Sequence, residues 1–157
     1  MKLSLCIDAP EGADSSDSNT IPPERIPDIE HILAEELEAL YPAARNYEEA
    51  EISLSFVSSE AIRELNRQYR DVDEPTDVLS FPMMEDEELP LPVLSLGDIV
   101  ICPEETARLH PELSQDEAIC LMIAHSFLHL LGYDHDTEEA QAKMWELQDR
   151  IAGRLSR

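Results

Sequence analysis

The sequence predicts an α+β fold, in which four strand-like segments form a small sheet and about five helices pack around it. Three observations carry this. Residues 51 to 57 alternate apolar and polar with the period of a strand. Ile26, Ile29, Ile32, Leu33, Leu37 and Leu40 recur at helical spacing. Ser114-Gln115-Asp116-Glu117 is a capping box that opens a long apolar helix. A chain of 157 residues is most simply one domain, 1 to 157, with one core.

Each element follows from its residues. Lys2 to Asp8 alternates and is rich in apolar side chains, an edge or central strand. Residues 9 to 20 are polar and of low complexity, with almost nothing to bury; a mobile loop is expected. Pro22 or Pro23 can start a helix that runs to Tyr41, where Pro42 stops it. His31 lies on it among acids and reads as a surface residue. In Glu51 to Val57, Ile52, Leu54 and Phe56 face one way. Ser58-Ser59 caps a helix from Glu60 to about Tyr69. Ile62, Leu65 and Tyr69 form its core face, and Arg63, Arg67 and Arg70 another. These arginines are either a solvated face paired to Glu60 and Glu64 or a site for an anion.

Thr76 to Phe81 is a strand ended by Pro82, and 85 to 88 belong to an exposed acidic connection. Leu96 to Cys102 is a continuous apolar strand, buried on both faces. A short helix from Pro103 or Glu104 ends near His110, which precedes a proline. The capped helix from 114 to Leu131 is apolar nearly all round and should be buried at the centre. Thr137 and its acidic neighbours cap a last helix, packed through Ala140, Met144, Leu147, Ile151 and Leu155.

Composition narrows function. Against 11 Lys+Arg stand 35 Asp+Glu, a formal net charge of −24. Broad electrostatic binding of nucleic acid needs a basic footprint, so the balance suits a highly soluble cytosolic protein, or one whose substrate is delivered by a larger partner or a metal. The three cysteines are far apart with no C-x-x-C pair, and are expected as buried reduced thiols. Neither a signal peptide nor a membrane span is legible, and a cytoplasmic protein is expected.

The chemistry concentrates in residues 124 to 135. His125 and His129 are four apart, about 40° apart around a helix and one turn up. Gly132 offers a left-handed stop, after which His135 can return to the same point. Three neutral imidazoles at one point leave a fourth tetrahedral position open, and zinc is the favoured ion. The spacing is that of the zincin pattern H-E-x-x-H-x-x-G-x-x-H, but Ser126 stands where a peptidase keeps its glutamate base. A serine cannot take a proton from the metal's water at neutral pH, so that route to peptide hydrolysis is disfavoured. A three-histidine zinc still lowers the pKa of its water to about 7 and polarises a phosphoryl oxygen. Arg70 is the best candidate cation for the developing charge.

These residues resemble the YbeY family of endoribonucleases, bacterial rRNA maturation factors. The family's H-G-x-L-H-L-x-G-Y-D-H motif stands here at His125 to His135, with Ser126 for its glycine. Leu65 to Arg70, Asp73 and Pro75 to Pro82 form a second similar block, and Leu96 to Ile101 a third. The resemblance implies one α+β domain with a mixed sheet, and one zinc per chain on His125, His129 and His135. It implies a single-strand-specific endoribonuclease acting on the 3′ end of small-subunit rRNA and in ribosome quality control, with ribosomal partners and no role for DNA or membrane. The family's functional arginine maps onto Arg70, so Arg70 and His125 are the candidate catalytic residues. Beside the metal, the Ser126 hydroxyl would bear on water placement or substrate fit. Two alternatives stand beside this: a zinc peptidase-like hydrolase, and a non-catalytic ribosome-assembly factor whose structural zinc takes a fourth ligand from Asp134 or His110.

Overall fold

The computed structural model describes residues 1–8, 21–83 and 92–156. Among these, the chain runs β1 (Lys2–Asp8), α1 (Ile26–Leu40), β2 (Glu49–Phe56), α2 (Ser59–Arg70), β3 (Val78–Pro82), β4 (Val93–Ile101), α3 (Pro103–Leu109), α4 (Gln115–Leu130) and α5 (Glu138–Leu155). The sheet order is β1-β2-β4-β3. β1, β2 and β4 are parallel, and β3 is antiparallel to β4. The α+β architecture with a four-stranded mixed sheet and five α-helices is therefore as expected.

The local signals act as their residues predict. The Ser58 hydroxyl accepts from the Ala61 N–H at 3.2 Å and starts α2. Ser114 accepts from the Glu117 N–H at 3.2 Å while the Glu117 carboxylate accepts from the Ser114 N–H at 3.3 Å, closing the capping box of α4. Thr137 caps α5 in the same way through Ala140.

Two layers form around the sheet. On one face α1, α4 and α5 cover Ile52, Leu54, Leu96, Ile99 and Ile101, all fully buried. On the other, a smaller cluster of Ile62, Leu79, Val100 and Cys102 sits under α2. Ile99 and Ile101 against Val100 and Cys102 is the alternation of a strand buried on both sides. A bulge makes this work. The β2–β4 register shifts between Glu51 and Ile52, so that Ser95 faces Glu51 and Gly97 faces Ile52. Strict alternation from Leu94 and Leu96 would turn Asp98 into the core; the extra residue lets Ile99 and Ile101 take that place. Gly97 is obligatory there. Its φ is +137°, and a Cβ would lie 2.2 Å from the Phe81 carbonyl oxygen.

Several expectations need correction. The helix expected from Pro22 or Pro23 begins as a 3-10 turn, Pro23–Arg25, before α1. β4 begins at Val93 rather than Leu96, because Pro92, which reads as a breaker, stands just before the strand and leaves Val93 to Ser95 free to join the ladder. Cys6 is exposed on the edge strand β1, not buried, while Cys102 and Cys120 are buried as expected. The polar segment 9 to 20 and the acidic connection 85 to 88 lie outside the described residues.

α5 is held in place by charge as well as packing. Glu36 of α1, only 5% exposed, accepts from Arg154 at 2.7 Å and from Arg150. Arg25 ties the start of α1 to Asp116 and to the Leu155 carbonyl. These contacts set where α5 lies against α4, and so where its side chains meet the histidines.

Candidate metal centre

α4 carries His125 and His129 from a buried scaffold: Ile123, Ala124, Phe127 and Leu128 around them are fully buried. The helix ends as a Schellman motif. The Gly132 N–H donates to the His129 carbonyl at 3.0 Å and the Tyr133 N–H to the Leu128 carbonyl at 3.0 Å. Gly132 has φ +97°, in the region an L side chain resists. The reversal returns the chain to α4 and brings His135 back to His125 and His129.

The three imidazoles present ligand atoms all within 4.8 Å of one another. The Nε2 atoms of His125 and His129 are 3.1 Å apart. Two nitrogens bound tetrahedrally to zinc at about 2.0–2.1 Å would stand roughly 3.3 Å apart, so this pair is already at ligand spacing. Burial holds the His125 imidazole below its ordinary range, partly offset by Gln148. Burial does the same for His129, reinforced by His125, with a hydrogen bond to the Tyr133 backbone working the other way. Both effects favour the neutral imidazole that a metal needs.

Gln148, on α5 and 9% exposed, was missed in the sequence. Its Oε1 accepts from His125 Nδ1 at 2.7 Å. That hydrogen bond places the proton on Nδ1 and turns Nε2 to the cluster, as the outer partner of a metal-ligating histidine does. No sequence signal marks it, because a glutamine 23 residues away is brought there only by the packing of α5 on α4. Trp145 was missed as well. Its ring meets His125 edge-on at 5.9 Å and His135 at 5.5 Å between centroids.

The histidines open into a cleft of about 640 Å³ that Arg70, Tyr69 and Phe81 also line. The arginine face of α2 divides there. Arg63 is bound to Asp73 at 2.9 Å and Arg67 to Glu64, so of the two acids expected to pair this face Glu64 does, and Asp73 joins it. Arg70 has no hydrogen-bond or ion-pair partner among the described residues and reaches the cleft.

Other expected participants lie elsewhere. His31 is exposed and faces Glu35 at 3.1 Å. His110 Nε2 sits 3.0 Å from Asp77 and does not join the cluster. The Asp134 carboxylate accepts from the His135 N–H at 2.7 Å. Neither supplies a fourth ligand: among the described residues the cluster holds three. The expectation that the Ser126 hydroxyl bears on the metal's water is corrected. Ser126 is fully buried and does not line the cleft, because the position after His125 turns into the protein.

The family described as "Endoribonuclease YbeY" matches residues 15–156. This chain belongs to the YbeY family. Proteins named endoribonuclease YbeY include one from Clostridioides difficile, 46% identical over 110 residues, covering 68% of this chain and 72% of the relative. The Pelotomaculum thermopropionicum protein is 48% identical over 114 residues, covering 69% and 74%. The one from Geobacillus thermodenitrificans is 37% identical over 148 residues, covering 88% and 92%. A solution structure of a Thermotoga maritima protein superposes with a TM-score of 0.50 at 29% identity, over 97% of this chain and 89% of that one.

Proposed function

We propose that this YbeY protein is a zinc-dependent endoribonuclease specific for single strands, acting in maturation of ribosomal RNA and in ribosome quality control. Residues 1 to 157 act as one domain, and the setting is the cytoplasm with the ribosome as partner. The observation that carries this reading is one cleft lined by His125, His129 and His135 and by the guanidinium of Arg70, which has no partner among the described residues.

His125, His129 and His135 would hold the ion, with Gln148 fixing the tautomer of His125. When bound, zinc supplies a Lewis acid for a phosphoryl oxygen. Arg70 binds the phosphate and stabilises the charge that grows on it, and its planar fork suits two oxygens at once. RNA carries its own nucleophile, the 2′-hydroxyl, so the chain has no need of a nucleophilic side chain. The cleft is open on one side, which suits an extended strand more than a duplex. The net charge of −24 opposes free RNA, and a ribosomal partner that presents the strand removes that obstacle.

The test is metal analysis together with cleavage of a labelled single-stranded RNA and its duplex, on wild type and His129→Ala. One zinc per chain, cleavage of the single strand only, and loss of both zinc and cleavage in the variant are expected. Full cleavage by chelator-treated, metal-free protein would sink the metal mechanism, and equal cleavage of the duplex would sink the strand preference.

A further inference from the structure

A second cavity, of about 290 Å³, lies on the far side of His125 from the cleft. At the small end of ligand pockets, it suits one ring system rather than a whole nucleotide. Its walls are apolar: Trp145, 37% exposed, on α5, and Leu121 and Met122 on α4. Its polar lining is Asp77, His110, His125 and Gln148. Gln148 commits its Oε1 to His125, leaving the amide N–H groups to donate. Asp77 accepts at Oδ1 from the Val78 N–H, at 2.9 Å, and from the Thr76 hydroxyl, at 3.2 Å, and lies 3.0 Å from His110 through Oδ2. A carboxylate has about four lone-pair directions, so Asp77 retains one acceptor position, on Oδ2.

The two cavities differ in charge. The cleft is lined by Arg70, which can take an anion, with Asp134 also at its wall; the second cavity holds the Asp77 carboxylate, with His110 against it, and no arginine or lysine. His125 and Val78 form the wall they share. A ligand that bridges them must carry a phosphate on one side and a flat neutral ring on the other. We propose that the second cavity is a nucleobase subsite, with Trp145 as its stacking wall and Asp77 accepting from an exocyclic amino group. The inference rests on the RNA reading above and adds a preference: adenine, cytosine or guanine over uracil, which has no amino group. An unstacked base held against an aromatic ring and read at its edge is the usual way proteins recognise single-stranded RNA. His110 keeps Asp77 oriented and is a positioning residue.

Trp145 is the sole tryptophan of the chain, so its emission reports on this cavity. Zinc-loaded full-length protein is titrated with AMP, CMP, GMP, UMP and ribose 5-phosphate. The amino-bearing nucleotides should change the emission and bind about fivefold or more tighter than UMP. Ribose 5-phosphate should leave the emission unchanged where CMP saturates. Asp77→Asn offers an amide donor that suits the uracil carbonyl, so the CMP-to-UMP affinity ratio should fall to one or invert; if that variant does not fold, the wild-type series decides alone. Equal responses to ribose 5-phosphate and CMP, or UMP binding as tightly as CMP, overturn the subsite. Cleavage of single-stranded RNA measured beside it separates the two ideas. Cleavage without a base-dependent response sinks the subsite only; a base-dependent response without cleavage sinks the nuclease reading only.

Discussion

The C-terminal ends of α2 and α4 open on the same cleft but are built differently. α4 stops at Gly132, φ +97°, with both carbonyl bonds of a Schellman motif. α2 stops at Asp71, φ +58°, the one non-glycine with positive φ among the described residues. There the N–H groups of Asp71 and Val72 both reach the Asn66 carbonyl. The α4 end has to reverse the chain and return the third histidine, His135, to the helix it left. The α2 end only has to stop once Arg70 is presented, and aspartate tolerates the left-handed region well enough for that. The side chains differ in the same sense. His125 is half-buried and locked by Gln148, whereas Arg70 is exposed and has no partner among the described residues. A metal needs its ligands fixed beforehand; a phosphate can be met by a long side chain that adjusts.

The largest test of that contrast is Arg70→Ala. RNA cleavage should fall by on the order of 10²–10³-fold while zinc content stays at that of wild type. A parallel loss of zinc would mean that the two helix ends are one unit. Next comes Gln148→Ala, which frees the tautomer of His125. Zinc affinity should drop by about 10- to 100-fold in a competition titration with a chelator; an unchanged affinity would show that packing alone orients the ring.

Smaller effects separate the two stops. A Cβ at Gly132 meets nothing within 4 Å, so Gly132→Ala costs conformational energy only, about 1–2 kcal/mol in denaturant unfolding. Asp71→Gly should go the other way and stabilise, by about 1 kcal/mol at most. If both substitutions destabilise equally, the difference between the stops is not one of backbone strain. The smallest effect is at the Arg63–Asp73 pair beyond α2. Its hydrogen bond to Arg63 holds the Asp73 carboxyl below its ordinary range. The stabilisation is thus present above the ordinary carboxylate pKa and is lost as pH falls through the lower folded value. Both groups are exposed, so the melting temperature should not register it, while an NMR titration of Asp73 should. A midpoint at or above the ordinary range would break the assignment.

Much of the site was legible along the chain because it is local. His125, His129, Gly132 and His135 lie within 11 residues, and helical spacing with a glycine stop is enough to bring them together. The caps at Ser58, Ser114 and Thr137 are equally local, each a side chain meeting a backbone N–H three residues on. The missed features depend on distant chain. The bulge at Gly97 answers to a neighbouring strand's carbonyl, and Gln148 and Trp145 reach the histidines only because α5 packs on α4.

The arginines show where the division falls. By itself the sequence determined the elements, the metal cluster and the helical face that carries Arg63, Arg67 and Arg70, since each follows from spacings of a few residues. Which of those cations is free to meet a substrate was decided by tertiary structure. Glu64 takes Arg67 and Asp73 takes Arg63, and the antiparallel edge strand β3 sets the wall of the cleft that Arg70 reaches. Periodicity orders side chains around one helix; only the packing of other elements says what each of them faces.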